Sequence, residues 1–139
     1  MRLMQQLRNL FKLNATSSRT TVRQPIPQVT PDDVQRVVRR DFSPEEYPAV
    51  MAILGEYGTE RWHRELARVQ LAALKMANGS VQNLRACIAS AKRDYRDALA
   101  AAEYPHYSNT GVRVRELTAK QQRRIIDGDW QQYEEWLRK

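Results

Sequence analysis

The chain has two histidines, and each stands three residues after a glutamate: Glu60 with His63, and Glu103 with His106. On a helix that spacing sets a carboxylate and an imidazole on one face, a turn apart, as in carboxylate-bridged dimetal bundles. The two pairs flank a turn signal at Asn78-Gly79-Ser80. Counting outward from that turn puts position 60 roughly level with position 98, so both pairs fall toward one open end of a helix hairpin. Two features oppose the metal reading. Pro105 lies inside the second pair and should carry His106 beyond its helix. A dimetal centre also needs two more glutamates, for which Glu45, Glu46 and Glu56 are uncommitted sources. The competing reading makes Glu60 a first-turn carboxylate that complements the helix dipole and His63 a residue at the edge of the core. That reading needs no ligand, and no cofactor is expected.

A second kind of chemistry is electrostatic. The net charge is +7. Residues 1–31 hold Arg2, Arg8, Lys12, Arg19 and Arg23 and no acid, whereas residues 32–139 hold 18 basic and 16 acidic side chains. Leu3, Met4, Leu7, Leu10 and Phe11 recur among the first of these cations with the spacing of a short amphipathic helix. Such a segment fits an anionic membrane surface, a transit peptide, a flexible arm on nucleic-acid phosphates, or a helix docked on the body with its charges solvated.

Other groups read more plainly. Arg123-Arg124 with Trp130, Tyr133 and Trp136 could stack on bases, but the helical spacing favours packing; Trp136 falls off the shared face and suits a partner contact. Lys92, Arg93 and Arg96 are interleaved with Asp94 and Asp97, as on a solvated face. Cys87, the single cysteine, stands among Ala86, Ile88 and Ala89 and reads as a small packing residue. A lone thiol suits a reducing compartment such as the cytoplasm. No apolar run approaches the ~20 residues of a membrane-spanning helix, and no glycine-rich phosphate loop occurs.

The elements that must position these residues are helical. Thr30-Pro31-Asp32-Asp33 and Ser43-Pro44-Glu45-Glu46 are helix starts, each with a hydroxyl, a proline and first-turn carboxylates. Pro48 should distort the second helix early, and Gly55 and Gly58 should close it. A third helix is expected from about Thr59, with Trp62, Leu66, Val69, Ala73 and Met76 on one stripe and Ala67, Leu71 and Leu74 on the opposite one. A fourth should run from Val81 to Pro105, followed by a loop over 104–114. Two short helices should close the chain, one starting at Thr118-x-x-Gln121 and the other at Asp129-x-x-Gln132. Nothing alternates like a strand, and no repeat is evident.

The sequence therefore predicts an all-α protein, a small bundle built on a long antiparallel hairpin, with a basic extension over 1–29 and one helical domain over 30–139. A helix apolar on two sides must be central to the bundle or covered by a partner. With no convincing active site, the first functional expectation is a non-enzymatic protein that binds another protein or itself, using Leu71, Leu74 and Trp136. The rival is binding of nucleic acid or an anionic surface through Arg2, Arg8, Lys12, Arg19 and Arg23. The third is metal binding by Glu60, His63, Glu103 and His106.

Overall fold

The computed structural model describes residues 22–139, the side chain of Val112 excepted. The amphipathic helix expected over 2–13 lies outside them, as do Arg2, Arg8, Lys12 and Arg19. The described residues are helical, without strands. Residues 22–30 form an extended strap that packs across the body. Pro27 is buried, Val29 packs against the core, and the Tyr104 hydroxyl donates to the Pro25 carbonyl.

Helix α1 spans Pro31–Asp41. The Thr30 amide donates to Asp33 Oδ2 at 2.9 Å, satisfying a donor that the first turn leaves open. Val34, Val37 and Val38 form its buried face. The Ser43 amide donates in the same way to Glu46 Oε1 at 3.0 Å, ahead of one 3₁₀ turn and then α2, Tyr47–Leu54. Pro48 falls within the first two positions of α2, where its missing N–H has no intrahelical partner to lose, so the expected distortion is absorbed.

The third helix begins later than the sequence pattern implies. Helix α3 is Leu66–Ala77, and residues 55–65 are turns and extended chain. Gly58 and Glu65 both take left-handed backbone conformations, which no helix can continue through. The buried Tyr57 holds the segment: its hydroxyl donates to the Arg64 carbonyl at 2.7 Å and accepts from the Arg64 amide at 2.9 Å. Trp62 therefore leaves the apolar stripe assigned to it and is 62% exposed.

Helix α4 spans Val81–Arg93 and α5 spans Tyr95–Glu103. The single fourth helix of the expectation is thus two. Asp94 is extended, and its carboxylate accepts the Arg96 amide at 3.0 Å, capping α5 instead of continuing α4. Asn78 and Gly79 make the turn between α3 and α4 with positive φ, and a Cβ on Gly79 would sit 3.3 Å from the Asp41 carbonyl oxygen. Ser80 Oγ then caps α4 by accepting the Asn83 amide.

The segment expected as a loop is helical too: α6 is Pro105–Thr110, with a 3₁₀ stretch over Gly111–Glu116. Helix α7 is one 20-residue element, Ala119–Arg138, where two short helices were expected. Gly128 inside it costs about 1 kcal/mol relative to alanine, less than the burial of Ile126, Tyr133 and Leu137 along the same helix returns at about 1.5–3 kcal/mol per large apolar side chain.

Helix α3 packs against α1, α4 and α5, so the middle of each apolar flank is covered within one chain, while Leu66 and Met76 near its ends stay exposed. Leu71 and Leu74 are fully buried there. They are core residues, and the partner-binding role expected of them is corrected: neither reaches the surface.

Candidate functional site: an exposed cationic surface beside a neutralised interior

The four residues of the expected metal site go to separate partners. Glu103 on α5 is 3% exposed and meets Arg68 of α3 side-on, with Arg68 Nε to Oε2 at 3.0 Å and Nη2 to Oε1 at 2.7 Å. His106 on α6 has its Nδ1 2.7 Å from Asp129 Oδ1. His63 stacks on Tyr57 with 4.4 Å between ring centroids, and its Nδ1 accepts the Gly58 amide at 2.7 Å. Glu60 is exposed in the turn before it. No group of three or more His, Cys, Asp or Glu side chains placed to hold a metal occurs among the described residues.

Asp129 was expected to open a helix of its own. It is buried on the inner face of α7, and Oδ2 accepts the Tyr107 amide at 2.8 Å while Oδ1 accepts the His106 amide at 3.3 Å. The carboxylate caps α6 across the fold, so the sequence signal for a cap was right and the helix it serves was wrong.

Around Arg68 and Glu103 lies a closed polar cluster. Burial works against the Arg68 charge, but the Glu103 carboxylate more than offsets it and leaves the guanidinium pKa above its usual value. Burial, reinforced by the nearby Glu103 charge, pushes the Tyr104 and Tyr133 hydroxyls well above the normal phenol range. The Tyr133 hydroxyl is buried without a hydrogen-bond partner among the described residues. A shallow cavity of about 310 Å³ opens beside the ion pair, walled by the strap at Gln24–Ile26 and by Arg68, Arg96, Glu103 and Tyr104. Neither tyrosine is poised to exchange a proton near neutral pH, and burial pushes the Cys87 thiol up as well. The cluster fits a structural role.

The C-terminal end of α7 uses two more guanidiniums. Arg36 Nη1 donates to the Leu137 carbonyl and Arg40 Nη1 to the Trp136 carbonyl, each at 2.7 Å, at the negative end of the helix dipole. Arg40 also lies over the Trp136 ring, 5.2 Å from its centroid, and Trp136 tilts against Tyr133. Trp136 is accordingly half-buried and engaged inside the chain. The freely exposed tryptophan is Trp62, in a groove of about 330 Å³ with His63, Lys92, Arg93, Tyr95 and Arg96. Lys92 is 3.4 Å from Glu56, and Arg96 is 3.1 Å from Asp94, so this groove carries little net charge.

Charge accumulates elsewhere. Of the anion-binding candidates, Arg23 alone is described, exposed on the strap. One residue before it, the Val22 amide donates to Gln122 Oε1 at 3.4 Å. Gln122 is buried on α7, and its Nε2 donates to the Val114 and Leu117 carbonyls at 3.2 Å each. One amide side chain thus joins the strap, the 3₁₀ stretch and the start of α7. Arg113, Arg115, Lys120, Arg123 and Arg124 surround this junction, all exposed and none in an ion pair with a described residue.

Divided at these boundaries, residues 1–23 hold five basic side chains and no acid, and residues 113–124 hold five basic side chains and one acid, Glu116. All other residues together hold 13 basic and 15 acidic side chains. The whole positive excess belongs to two segments far apart in the chain, and the fold joins Val22, at the described end of the first, to Gln122 within the second. Dividing the sequence at residue 31 hides the second segment inside a nearly balanced body. A running charge window would have shown it.

Compared with protein-family models, with curated proteins and with solved structures, the chain matches none of them.

Proposed function

We propose that this is a non-enzymatic helical protein that binds a polyanionic partner through the cationic side chains of segments 1–23 and 113–124. The observation that carries the reading is that the chain's whole cationic excess lies in these two segments, with the Val22 amide at the described end of the first held by Gln122 within the second. The placement on α7 supports it. Lys120 and Arg123 stand in the opening turns of that helix, whose first turn has no acid, so they face the positive end of the dipole. Cations there are unfavourable by about 0.3–1 kcal/mol each. An external anion converts that cost into binding. The half-buried thiol of Cys87 suits a cytoplasmic setting.

Retention on an immobilised sulfated polysaccharide tests the reading. The wild-type chain should elute at markedly higher salt than a variant with Arg113, Arg115, Lys120, Arg123 and Arg124 changed to serine, because each lost contact removes a released counterion. Equal elution of the two, with both folded, would remove 113–124 from the binding surface.

A second reading, association with a protein partner or with a second copy, is favoured by Trp62 and Leu66, which are 62% and 49% exposed. Leu71, Leu74 and Trp136 no longer support it, because the chain itself engages all three.

A further inference from the structure

Resting on the polyanion reading, we infer that the partner is single-stranded nucleic acid and that one of its bases stacks on Trp62, in the groove it shares with Tyr95, Arg93 and Arg96. Trp62 is 62% exposed, yet its surroundings are fixed. The Tyr57 hydroxyl holds the segment through its two hydrogen bonds to Arg64, and His63 stacks on Tyr57 while accepting the Gly58 amide. The Trp62 and His63 rings meet at 79° with 5.8 Å between centroids, so His63 covers at most one face of the indole. An aromatic face offered to solvent from a fixed turn is a stacking platform that gives up little freedom when a base lands on it.

The charge pattern of the groove fits one base with its own phosphates. Lys92 is paired with Glu56 and Arg96 with Asp94, which leaves the interior nearly neutral. Arg93 on the groove wall, and Arg61 and Arg64 on either side of Trp62 and His63 in the chain, are exposed and have no ion pair with a described residue. A purely apolar partner would leave those three guanidiniums without a counterpart. The groove is also joined to the second cationic segment. Val22 is held by Gln122, the strap at Gln24–Ile26 walls the cavity beside Arg68, and Arg96 lines both that cavity and the Trp62 groove. A chain spans at most ~3.6 Å per residue, so Val22 and Ile26 are no more than about 14 Å apart, with the exposed Arg23 between them. A strand of several nucleotides can therefore set phosphates on Arg123 and Arg124 and a base on Trp62. Duplex nucleic acid keeps its bases stacked on one another, and a sulfated polysaccharide has none, so neither makes the Trp62 contact.

The full-length chain is tested with an oligothymidylate of about 16 nucleotides, the upper end of common single-strand site sizes, with a duplex of equal length, and with the sulfated polysaccharide. The single strand should bind more tightly than the duplex at equal salt and should quench tryptophan emission. Trp62→Ala should weaken single-strand binding about tenfold and abolish most of the quenching, Trp62→Phe should keep most of the affinity, and elution from the polysaccharide should not change in either. Arg93→Gln should reduce the salt dependence of single-strand binding by about one released counterion. Single-strand binding that is indifferent to Trp62 but lost with the five-serine variant overturns the stacking site and leaves the polyanion reading standing. Duplex binding as tight as single-strand binding, or an equal loss of polysaccharide binding in Trp62→Ala, overturns the assignment to unpaired bases. A dimer that forms without any polyanion and dissociates in Trp62→Ala assigns the groove to a second copy and overturns the proposal. Binding to none of the three probes overturns the polyanion reading as well.

Discussion

Arg68, Arg36 and Arg40 lie at the centre and at the C-terminal end of the bundle, while Arg113, Arg115, Arg123 and Arg124 crowd one exposed junction. The first group has every guanidinium assigned to a fixed acceptor: Glu103, Asp33 and two terminal carbonyls of α7. The second group has no ion-pair partner among the described residues. The same side chain therefore does two jobs. Where it is desolvated, its charge is neutralised locally and the group contributes to the fold. Where it is solvated and clustered with its own kind, the fold gains nothing from it, and the charge is available to something outside the chain.

The strongest way to break this contrast is to remove an interior partner. Glu103→Ala leaves the largely buried Arg68 guanidinium with only its longer 3.5 Å contact to the exposed Glu65 carboxylate, and should cost about 3 kcal/mol in denaturant or thermal unfolding. A double variant, Arg68→Met with Glu103→Leu, should recover most of that loss, since an apolar pair of similar volume avoids the stranded charge. If Glu103→Ala unfolds at the wild-type midpoint, the pair is no part of the fold's stability, and the interior group is wrongly drawn.

A smaller effect is expected at Asp33. Burial works to raise its pKa, but the Thr30 amide and the Arg36 guanidinium outweigh burial and leave it below the ordinary carboxylate value. A carboxyl with a folded pKa below its unfolded one stabilises the fold above the unfolded value, near 3.8, and loses that contribution as the pH falls through the folded value. Asp33→Asn should cost about 1 kcal/mol at neutral pH, as for loss of a cap partner. The difference between wild type and variant should shrink on acidification below the normal carboxylate range. A difference that stays constant into acid would mean that the cap does not depend on the ionised carboxylate.

Much of the architecture was legible because it rests on local patterns. The caps at Thr30, Ser43, Ser80 and Thr118, the turn at Asn78–Gly79 and the two-sided α3 all follow from residue type and spacing. The misreadings have one physical source, a polar side chain whose partner is distant or unexpected. Asp94 looked like a surface residue of a continuous helix and instead caps α5. Asp129 looked like a cap for its own helix and serves α6 from 23 residues away. Tyr57 fixes the segment 57–64 through one hydroxyl, which displaced the start of α3 and left Trp62 in solvent. The candidate surface was half legible. Its leading cations are plain in the sequence, but the contact of Val22 with residues 113–124 depends on Gln122, a residue whose type announces nothing.

The smallest expected effect is also the one that sharpens the contrast most. Changing Arg113, Arg115, Lys120, Arg123 and Arg124 to serine removes five long side chains from the surface, yet unfolding should shift by no more than about 0.5 kcal/mol. Lost mutual repulsion and relief at the positive end of α7 should offset the lower helix propensity of serine. Lowering the salt should raise the variant relative to wild type, because screening no longer masks the repulsion that the wild-type cluster carries. A loss of about 2 kcal/mol or more would place these cations among the contacts that hold α6, the 3₁₀ stretch and α7 together. The division between an arginine set that supports the fold and one that faces a ligand would then have no basis in energy.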